Sequence, residues 1–171
     1  KHRKLINYSP EEINLNTPIK YETIENAKTG KKEKVPVTNP ELITANSVVM
    51  SYSNYQTRSY TYDAENKYYL RFMNYNPHID YDTKTQLHYK NLIIIYVTNR
   101  QFDREGRQDL DTVGSGNGYY LTNGYALPIN WTKSSRSGKT KYTYTDGKEI
   151  TLNDGNTFVQ IVPTGRDITI Q

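Results

Sequence analysis

The amino-acid sequence predicts an all-β fold, a mainly antiparallel sandwich or barrel-like sheet with little helix. Short segments that alternate apolar and polar residues recur from residue 46 onward, and turn residues separate them. Almost no segment has the spacing of an amphipathic helix. Tyrosine occurs 17 times in 171 residues, and its large ring favours strands. A chain of this length forms one domain that buries roughly 70% of its unfolded surface.

Residues 1–45 differ from the rest and are interpreted as an irregular lead-in. This segment either pairs in part with the main sheet or is the tail of a preceding domain. SPEE at residues 9–12 has the pattern of a capping box and predicts the start of a short helix. PIKYETI at 18–24 alternates like a strand. VPVTNP at 35–40 carries two prolines, which restrict any strand there to a sheet edge.

Residues 46–171 form the predicted all-β domain. The alternation places Val48, Met50 and Tyr52 on one face of a strand. LIIIYV is apolar on both faces, which is typical of a central strand. Asp146 and Gly147 stand between two alternating runs and predict a type I′ hairpin. The predicted strands are NSVVMSYS (46–53), RSYTYD (58–63), YYLRFM (68–73), LIIIYV (92–97), YALPINW (125–131), KYTYTDGKEITL (141–152), TFVQIVP (157–163) and DITI (167–170).

Composition excludes several classes of function. The chain has no cysteine, so thiol catalysis, thiolate metal sites and disulfide frameworks are excluded. No run reaches the roughly 18 apolar residues of a membrane-spanning helix. The net charge is +4, but the lysines are interspersed with acidic residues, whereas a nucleic-acid binder concentrates them on one face. We therefore expect no nucleic-acid partner, while an anionic polymer or membrane surface is compatible with the charge.

The segment RFMNYNPHIDYD at residues 71–82 contains several polar residues that could bind a ligand or take part in catalysis. If it is extended, His78, Asp80 and Asp82 point to one side and form a candidate metal site, with His88 as a more distant ligand. The alternative is that His78 and Asp80 pair with each other or with Arg71, or contact a ligand. A metal site also needs a further fixed ligand, which the sequence does not supply, so no cofactor is expected.

Two further segments have competing interpretations. GSGNG at residues 114–118 precedes a strand-like segment rather than a helix, so it predicts a hairpin or bulge more than a phosphate loop. Close approach of its backbone to a ligand is the alternative. Trp131 and Lys133 lie on the same side of a strand, and the tryptophan ring either stacks on a sugar or is buried at the strand end.

Other catalytic and metal-binding patterns are weak. DREGRQDLD at residues 103–111 lacks the spacing of a calcium loop, which favours a solvated loop. No G-x-S-x-G sequence is present. Of the three histidines, His2 lies in the lead-in, and His78 and His88 flank one loop. A catalytic triad is therefore not indicated.

The block at residues 68–97, together with GSGNG, NGYALPINWTK and TDGKEITLNDGNTFVQIVP, resembles the second domain of the YerB-like lipoproteins. These are extracytoplasmic proteins of Gram-positive bacteria that contain two consecutive domains of unknown function. The resemblance implies a lipid anchor and a first domain outside this chain, which we expect to be a fragment of a longer precursor. The spaced features of the family fall on Tyr69, Arg71, His78, Asp80, Asn91, Gly114, Gly116, Trp131 and Lys133.

The leading hypothesis for function is a non-enzymatic binding module at the cell surface. Arg71 offers a bidentate fork to a carboxylate or phosphate. The expected partners are a cell-wall polymer, an envelope protein or the first domain of the family, with membrane contact only through the lipid anchor. The rival hypothesis is a hydrolase of envelope polymers that uses His78 and Asp80 as base and orienter or as metal ligands. The candidate ligand-binding residues are Arg71, His78, Asp80, Asn91, Gly114, Gly116, Trp131 and Lys133.

Overall fold

The computed structural model describes residues 7–171, which form strands and turns without a helix. Its strands, in chain order, are β1 (Asn7–Tyr8), β2 (Lys20–Glu25), β3 (Lys32–Val37), β4 (Ile43–Thr44), β5 (Ser47–Ser53), β6 (Gln56–Asp63), β7 (Tyr68–Met73), β8 (Asn76–Pro77), β9 (His88–Tyr89), β10 (Asn91–Val97), β11 (Asn99–Gln101), β12 (Gln108–Leu110), β13 (Gly114–Thr122), β14 (Tyr125–Lys133), β15 (Lys141–Tyr144), β16 (Thr151–Leu152), β17 (Thr157–Pro163) and β18 (Ile168–Ile170). The predicted all-β class is confirmed. His2 lies outside the described residues. Within those residues, no helix is long and apolar enough to span a membrane.

Two open sheets form the body of the domain. The first sheet has the order β15-β14-β13-β10-β17, and β4 also pairs with β14. The second sheet has the order β18-β5-β6-β7-β8, and β9 also pairs with β7. Pairing is antiparallel within both sheets except between β10 and β17, which run parallel. The predicted central position of LIIIYV is confirmed, because β10 pairs on one side with β13 and on the other with β17.

The first sheet has a hydrophobic core on each of its faces. Ile93 and Ile95 of β10 belong to the first core, which Leu15 and Leu152 also cover. Leu92 and Ile94, the alternate residues of β10, belong to the second core. The second sheet closes this second core with residues that include Val48, Met50, Tyr60 and Tyr69. The packing is therefore that of a sandwich between the two sheets, with the lead-in over the outer face of the first.

The lead-in contains the predicted strand but not the predicted helix. Among residues 7–171, β2 and β3 form a sheet of two strands, so Pro36 of β3 lies in an edge strand as expected. Residues 9–12 form no helix. The Glu12 carboxylate instead accepts hydrogen bonds from Lys67, Lys90 and Asn123. These contacts hold the segment against both sheets. A helix of a single turn is unstable by itself, because its few hydrogen bonds do not offset the free-energy cost of nucleation.

The hairpin predicted at Asp146-Gly147 is present, because Thr143 pairs antiparallel with Glu149, but its predicted type I′ turn is wrong. Gly147 has a φ of 85°, but Asp146 has no positive φ, and Tyr144 N donates to Lys148 O across a three-residue loop. This geometry belongs to a loop that ends in a left-handed glycine. Two-residue turns with both φ angles positive, as type I′ requires, occur at Asn74-Tyr75 (49° and 65°) and at Asn123-Gly124 (51° and 78°).

Candidate functional site

A series of four hydrogen bonds, two of them buried and two partly buried, crosses the interface between the two sheets. Arg71 of β7 donates from Nη1 to Tyr60 Oη at 2.9 Å, and Tyr60 Oη donates to Gln160 Oε1 at 2.8 Å. Gln160 Nε2 donates to Tyr52 Oη at 2.6 Å, and Tyr52 Oη donates to Ile161 O. Every hydrogen bond in this series is donated in the same direction, from Arg71 toward Ile161. The network therefore fixes the position of Arg71 against the first sheet.

Arg71 carries its charge into the protein without an acidic partner. The residue is 8% exposed, and its guanidinium carbon lies 4.3 Å from the centroid of the Phe158 ring and 5.6 Å from that of Tyr60. No carboxylate of residues 7–171 forms an ion pair with it. Its Nε is buried and has no hydrogen-bond partner within this part of the chain. A ring face and a phenol therefore provide most of the compensation for a buried cation.

His78 lies beside Arg71, and its side chain, like that of Arg71, has a buried nitrogen without a hydrogen-bond partner in the described residues. Its backbone N–H donates to Arg71 O at 3.0 Å, and its ring Nδ1 has no hydrogen-bond partner in the described residues. Burial, followed by the charges of Arg71 and Arg58, lowers the pKa of His78 below its ordinary value. The ring is therefore neutral near pH 7, and an anion placed here would raise its pKa again.

A cleft opens beside this cluster, between β17 and the β5–β6 hairpin. Its volume is about 340 Å³. A larger cleft of about 740 Å³ continues from it and shares Tyr52, Gln56 and Ile161 with it. Arg58 lines the smaller cleft, and Arg166 lines the larger one. The two clefts thus form one groove with cationic side chains along it. The smaller cleft is lined by Tyr52, Gln56, Arg58, Phe158, Val159, Gln160 and Ile161.

Asp80 and Asp82 do not converge with His78. Asp80 Oδ1 accepts hydrogen bonds from Thr83 N at 2.8 Å, Thr83 Oγ1 at 2.9 Å and Asp82 N at 3.2 Å. The bonds from Thr83 lower the pKa of Asp80. The chain turns at residue 80, so the alternation of an extended segment does not apply. No three His, Cys, Asp or Glu side chains between residues 7 and 171 are grouped as metal ligands.

The expected pairing of His78 with Asp80 or Arg71 is also absent at the level of side chains. The Asp80 carboxylate is engaged by its own turn, and the described hydrogen bonds include none between the His78 ring and either neighbour. The backbone bond from His78 N to Arg71 O is what holds the two residues together.

Asn91 belongs to a separate, saturated network on the other face of the first sheet. Its Nδ2 donates to Asn153 O at 2.8 Å and to Thr157 Oγ1 at 3.2 Å. Its Oδ1 accepts from Tyr120 Oη at 3.1 Å and from Asn153 N at 3.2 Å. Tyr120 is part of the first core, whereas Arg71 contacts Tyr60 of the second. The structure therefore does not bring Asn91 and Arg71 together.

The glycine run and Trp131 form a third location. The prediction of a hairpin or bulge at GSGNG is confirmed in part: these residues are the start of β13, the first strand of a hairpin with β14, and Gly114 has a positive φ of 134°, but the register contains no bulge. A Cβ added to Gly116 would lie 2.6 Å from Trp131 Nε1, so this glycine allows the indole to pack across the strand. Trp131 is 3% exposed and donates to Tyr96 O at 3.0 Å. The buried alternative for the tryptophan is the correct one, and its ring does not face solvent.

Gly114 and Lys133 lie opposite each other on β13 and β14. They line a cleft of about 470 Å³ that shares no lining residue with the groove beside Arg71. The eight predicted ligand-binding residues therefore fall at three separate locations. Arg71 and His78 lie together with Asp80 on the adjacent turn, Asn91 lies in its own network, and the other four lie together on β13 and β14. Whether any of the eight binds a ligand stays a prediction.

Several residues of the Arg71 cluster were not predicted from the sequence. They are Tyr52, Arg58, Tyr60, Phe158 and Gln160. One signal was present: Gln160 stands at a buried position in the otherwise apolar strand TFVQIVP. A buried amide in such a strand needs a hydrogen-bond partner from a neighbouring element, and here that partner is Tyr60.

Comparison with known proteins identifies the family. Residues 48–159 match the family model described as "Protein of unknown function (DUF3048) C-terminal domain". No curated protein matches the chain. Among solved structures, it is similar to the YerB protein from Bacillus subtilis, with a TM-score of 0.62 and 25% sequence identity. The similarity covers 83% of this chain and 50% of that one, so the chain spans about half the length of YerB. The expected resemblance is confirmed, and the chain belongs to the family of DUF3048 C-terminal domains.

Proposed function

We propose that this domain is a non-enzymatic binding module that holds a carboxylate or phosphate group at Arg71, with Arg58 and His78 beside it. The observation that carries the proposal is the buried cation of Arg71, which has an unpartnered Nε and no acidic neighbour in the described chain. Burying an ion costs several kcal/mol, and a cation–π contact returns about 2 kcal/mol when it is desolvated. An anionic ligand would supply the missing compensation.

The proposed setting is the outside of a cell membrane. The domain would belong to a lipid-anchored envelope protein, as the resemblance to the YerB-like lipoproteins implies. Its partner would be an anionic cell-wall polymer, an envelope protein or the first domain of the family. The net charge of +4 supports an anionic partner.

The geometry gives less support to a hydrolase. A general base acting through His78 would need a carboxylate to orient the ring, but Asp80 accepts its hydrogen bonds from its own turn. The neutral His78 ring is better suited to bond an anion beside Arg71 than to share a proton with Asp80. Binding is therefore the function that we propose.

The test is a thermal melt of the wild type and of Arg71→Met, with and without inorganic phosphate or acetate. Without an anion, Arg71→Met should melt at or above the wild-type temperature, because the substitution removes an unpaired buried charge. With an anion at about 100 times its Kd, the wild type should gain about 2.7 kcal/mol, or about 5–10 °C, and the variant should gain none of this.

The matched control is Arg104→Met, which removes an exposed arginine outside the groove. This variant should respond to phosphate as the wild type does, so that general stabilisation by salt is separated from binding. Equal responses of the wild type and Arg71→Met to every anion, or a large loss of stability in Arg71→Met without anion, would show that Arg71 serves packing alone.

A further inference from the structure

The outer edge of β17 is unpaired at one short stretch of backbone. In residues 7–171, β17 pairs with β10 and with no other strand. Asn156 O accepts from Asn91 N, and Thr164 donates to Val97 O, so even-numbered residues direct their backbone groups toward β10. Odd-numbered residues consequently direct theirs outward, since backbone groups alternate along a parallel strand.

Most outward groups near the end of β17 already have partners. Ile161 O accepts from Tyr52 Oη, and Pro163 O accepts from Arg166 N at 3.1 Å. Pro163 has no N–H. Among the described residues, the open part of the edge therefore consists of the N–H and C=O groups of Thr157 and Val159 and the N–H of Ile161.

This open stretch lies along the groove and next to the proposed anion site. Four consecutive residues of β17, from Phe158 to Ile161, line the smaller cleft. A strand presents consecutive residues together only along its backbone edge. The Arg71 guanidinium lies over the ring of Phe158, the residue before Val159. Val159 itself is exposed.

We propose that the groove binds the carboxyl-terminal end of an extended peptide, which adds a short strand to the edge of β17. The terminal carboxylate is held at Arg71 and Arg58, so this inference rests on the proposed function. The last two or three residues pair with Val159 and Ile161 through main-chain hydrogen bonds. The amide-lined continuation toward Gln108 and Asn99 receives the preceding side chains.

Two features favour a peptide over another anion such as a phosphorylated glycan. Only a peptide offers alternating donors and acceptors at the spacing of the Val159 and Ile161 backbone groups. Ile161 O and Pro163 O already accept hydrogen bonds from within the protein, so a peptide can pair with only a short stretch of β17. A short stretch suits the end of a peptide rather than a strand that runs through the groove.

The experiment is a binding screen against two hexapeptide sets randomised at the last three positions, one ending in a free carboxylate and the other in a carboxamide. The wild-type domain should bind members of the first set about tenfold or more tightly than their carboxamide counterparts. Val159→Pro should lose this binding, because proline removes the outward N–H but leaves the pairing with β10 intact. Val159→Ala, which retains the N–H, is the control and should bind as the wild type does.

The phosphate response of each variant separates this inference from the proposed function. A phosphate-dependent rise in the melting temperature of Val159→Pro shows that the variant is folded and that the Arg71 site is intact. If phosphate stabilises the domain but no free-carboxylate peptide binds, or if Val159→Pro binds peptide as well as Val159→Ala does, the peptide inference is overturned and the anion site stands. If phosphate has no effect on the wild type, the anion site itself fails.

Discussion

Replacing Asn91 by alanine is expected to destabilise the domain by about 3–5 kcal/mol. The Asn91 side chain is fully buried and makes four hydrogen bonds. Its loss leaves Asn153 N, Asn153 O and Tyr120 Oη short of a partner inside the protein. Each buried group without a partner costs about 1–3 kcal/mol, and partial relaxation keeps the sum near the lower end of its range.

The assay is urea unfolding followed by circular dichroism, together with a thermal melt. For a domain of this size, a loss of about 3–5 kcal/mol lowers the melting temperature by about 6–20 °C. Asn130→Ala is the matched control, because Asn130 is exposed on β14, and it should change the stability by less than about 0.5 kcal/mol. The phosphate response of folded Asn91→Ala should equal that of the wild type, since Asn91 lies on the other face of the first sheet.

A loss of less than about 1 kcal/mol for Asn91→Ala would refute the structural role assigned to this network. A normal stability with a lost phosphate response would place Asn91 in the ligand site instead. That second result would restore the prediction from the sequence that Asn91 contacts a ligand.

Three further substitutions test local features of the fold. Tyr75→Gly should stabilise the domain by about 1 kcal/mol in urea unfolding, because Tyr75 is 75% exposed and holds a φ of 65° that costs little for glycine. Gly116→Ala should destabilise the domain by about 1–3 kcal/mol and shift the fluorescence of Trp131, the only tryptophan, because the new Cβ crowds its indole. The bond from Lys67, followed by the one from Lys90, lowers the pKa of Glu12 to about 2, so its contribution is present above about pH 4.3 and is lost as the pH falls toward 2. As the pH falls through this range, Glu12→Gln should therefore lose less stability than the wild type. The difference should stay under about 1 kcal/mol, because the Glu12 side chain is 45% exposed.

The fold class was predictable because alternation is a local property of the sequence. The burial of Val48 and Met50 follows from their spacing, and the two apolar faces of LIIIYV place it between two cores. Turn types were less predictable. Asn74-Tyr75 forms a two-residue turn with both φ angles positive, although tyrosine disfavours that conformation and gives no signal for it.

The candidate site was predictable only where its residues are close in sequence. Arg71 lies on β7, and His78 directly follows β8, which pairs with β7 across a two-residue turn, so their proximity is encoded locally. Phe158 contacts Arg71, and Gln160 contacts Tyr60, from β17, which lies in the other sheet. Their position depends on the order of the strands and on the packing of the two sheets, which residue spacing does not specify. Asn91 was grouped with Arg71 because the sequence does not reveal that a sheet separates them.

The two buried polar networks differ in a way that separates scaffold from site. Asn91 uses both of its polar atoms, and each has partners inside the protein, so nothing remains for a ligand. Arg71 has five N–H groups, of which one bonds Tyr60, while Nε has no partner among the described residues. If Arg71 served packing alone, its replacement by a neutral side chain would lower the stability of the domain, whereas the replacement of a charge left unpaired for a ligand is neutral or stabilising. The excess of donors over acceptors at Arg71, beside a groove with an open strand edge, is therefore the feature that points to binding.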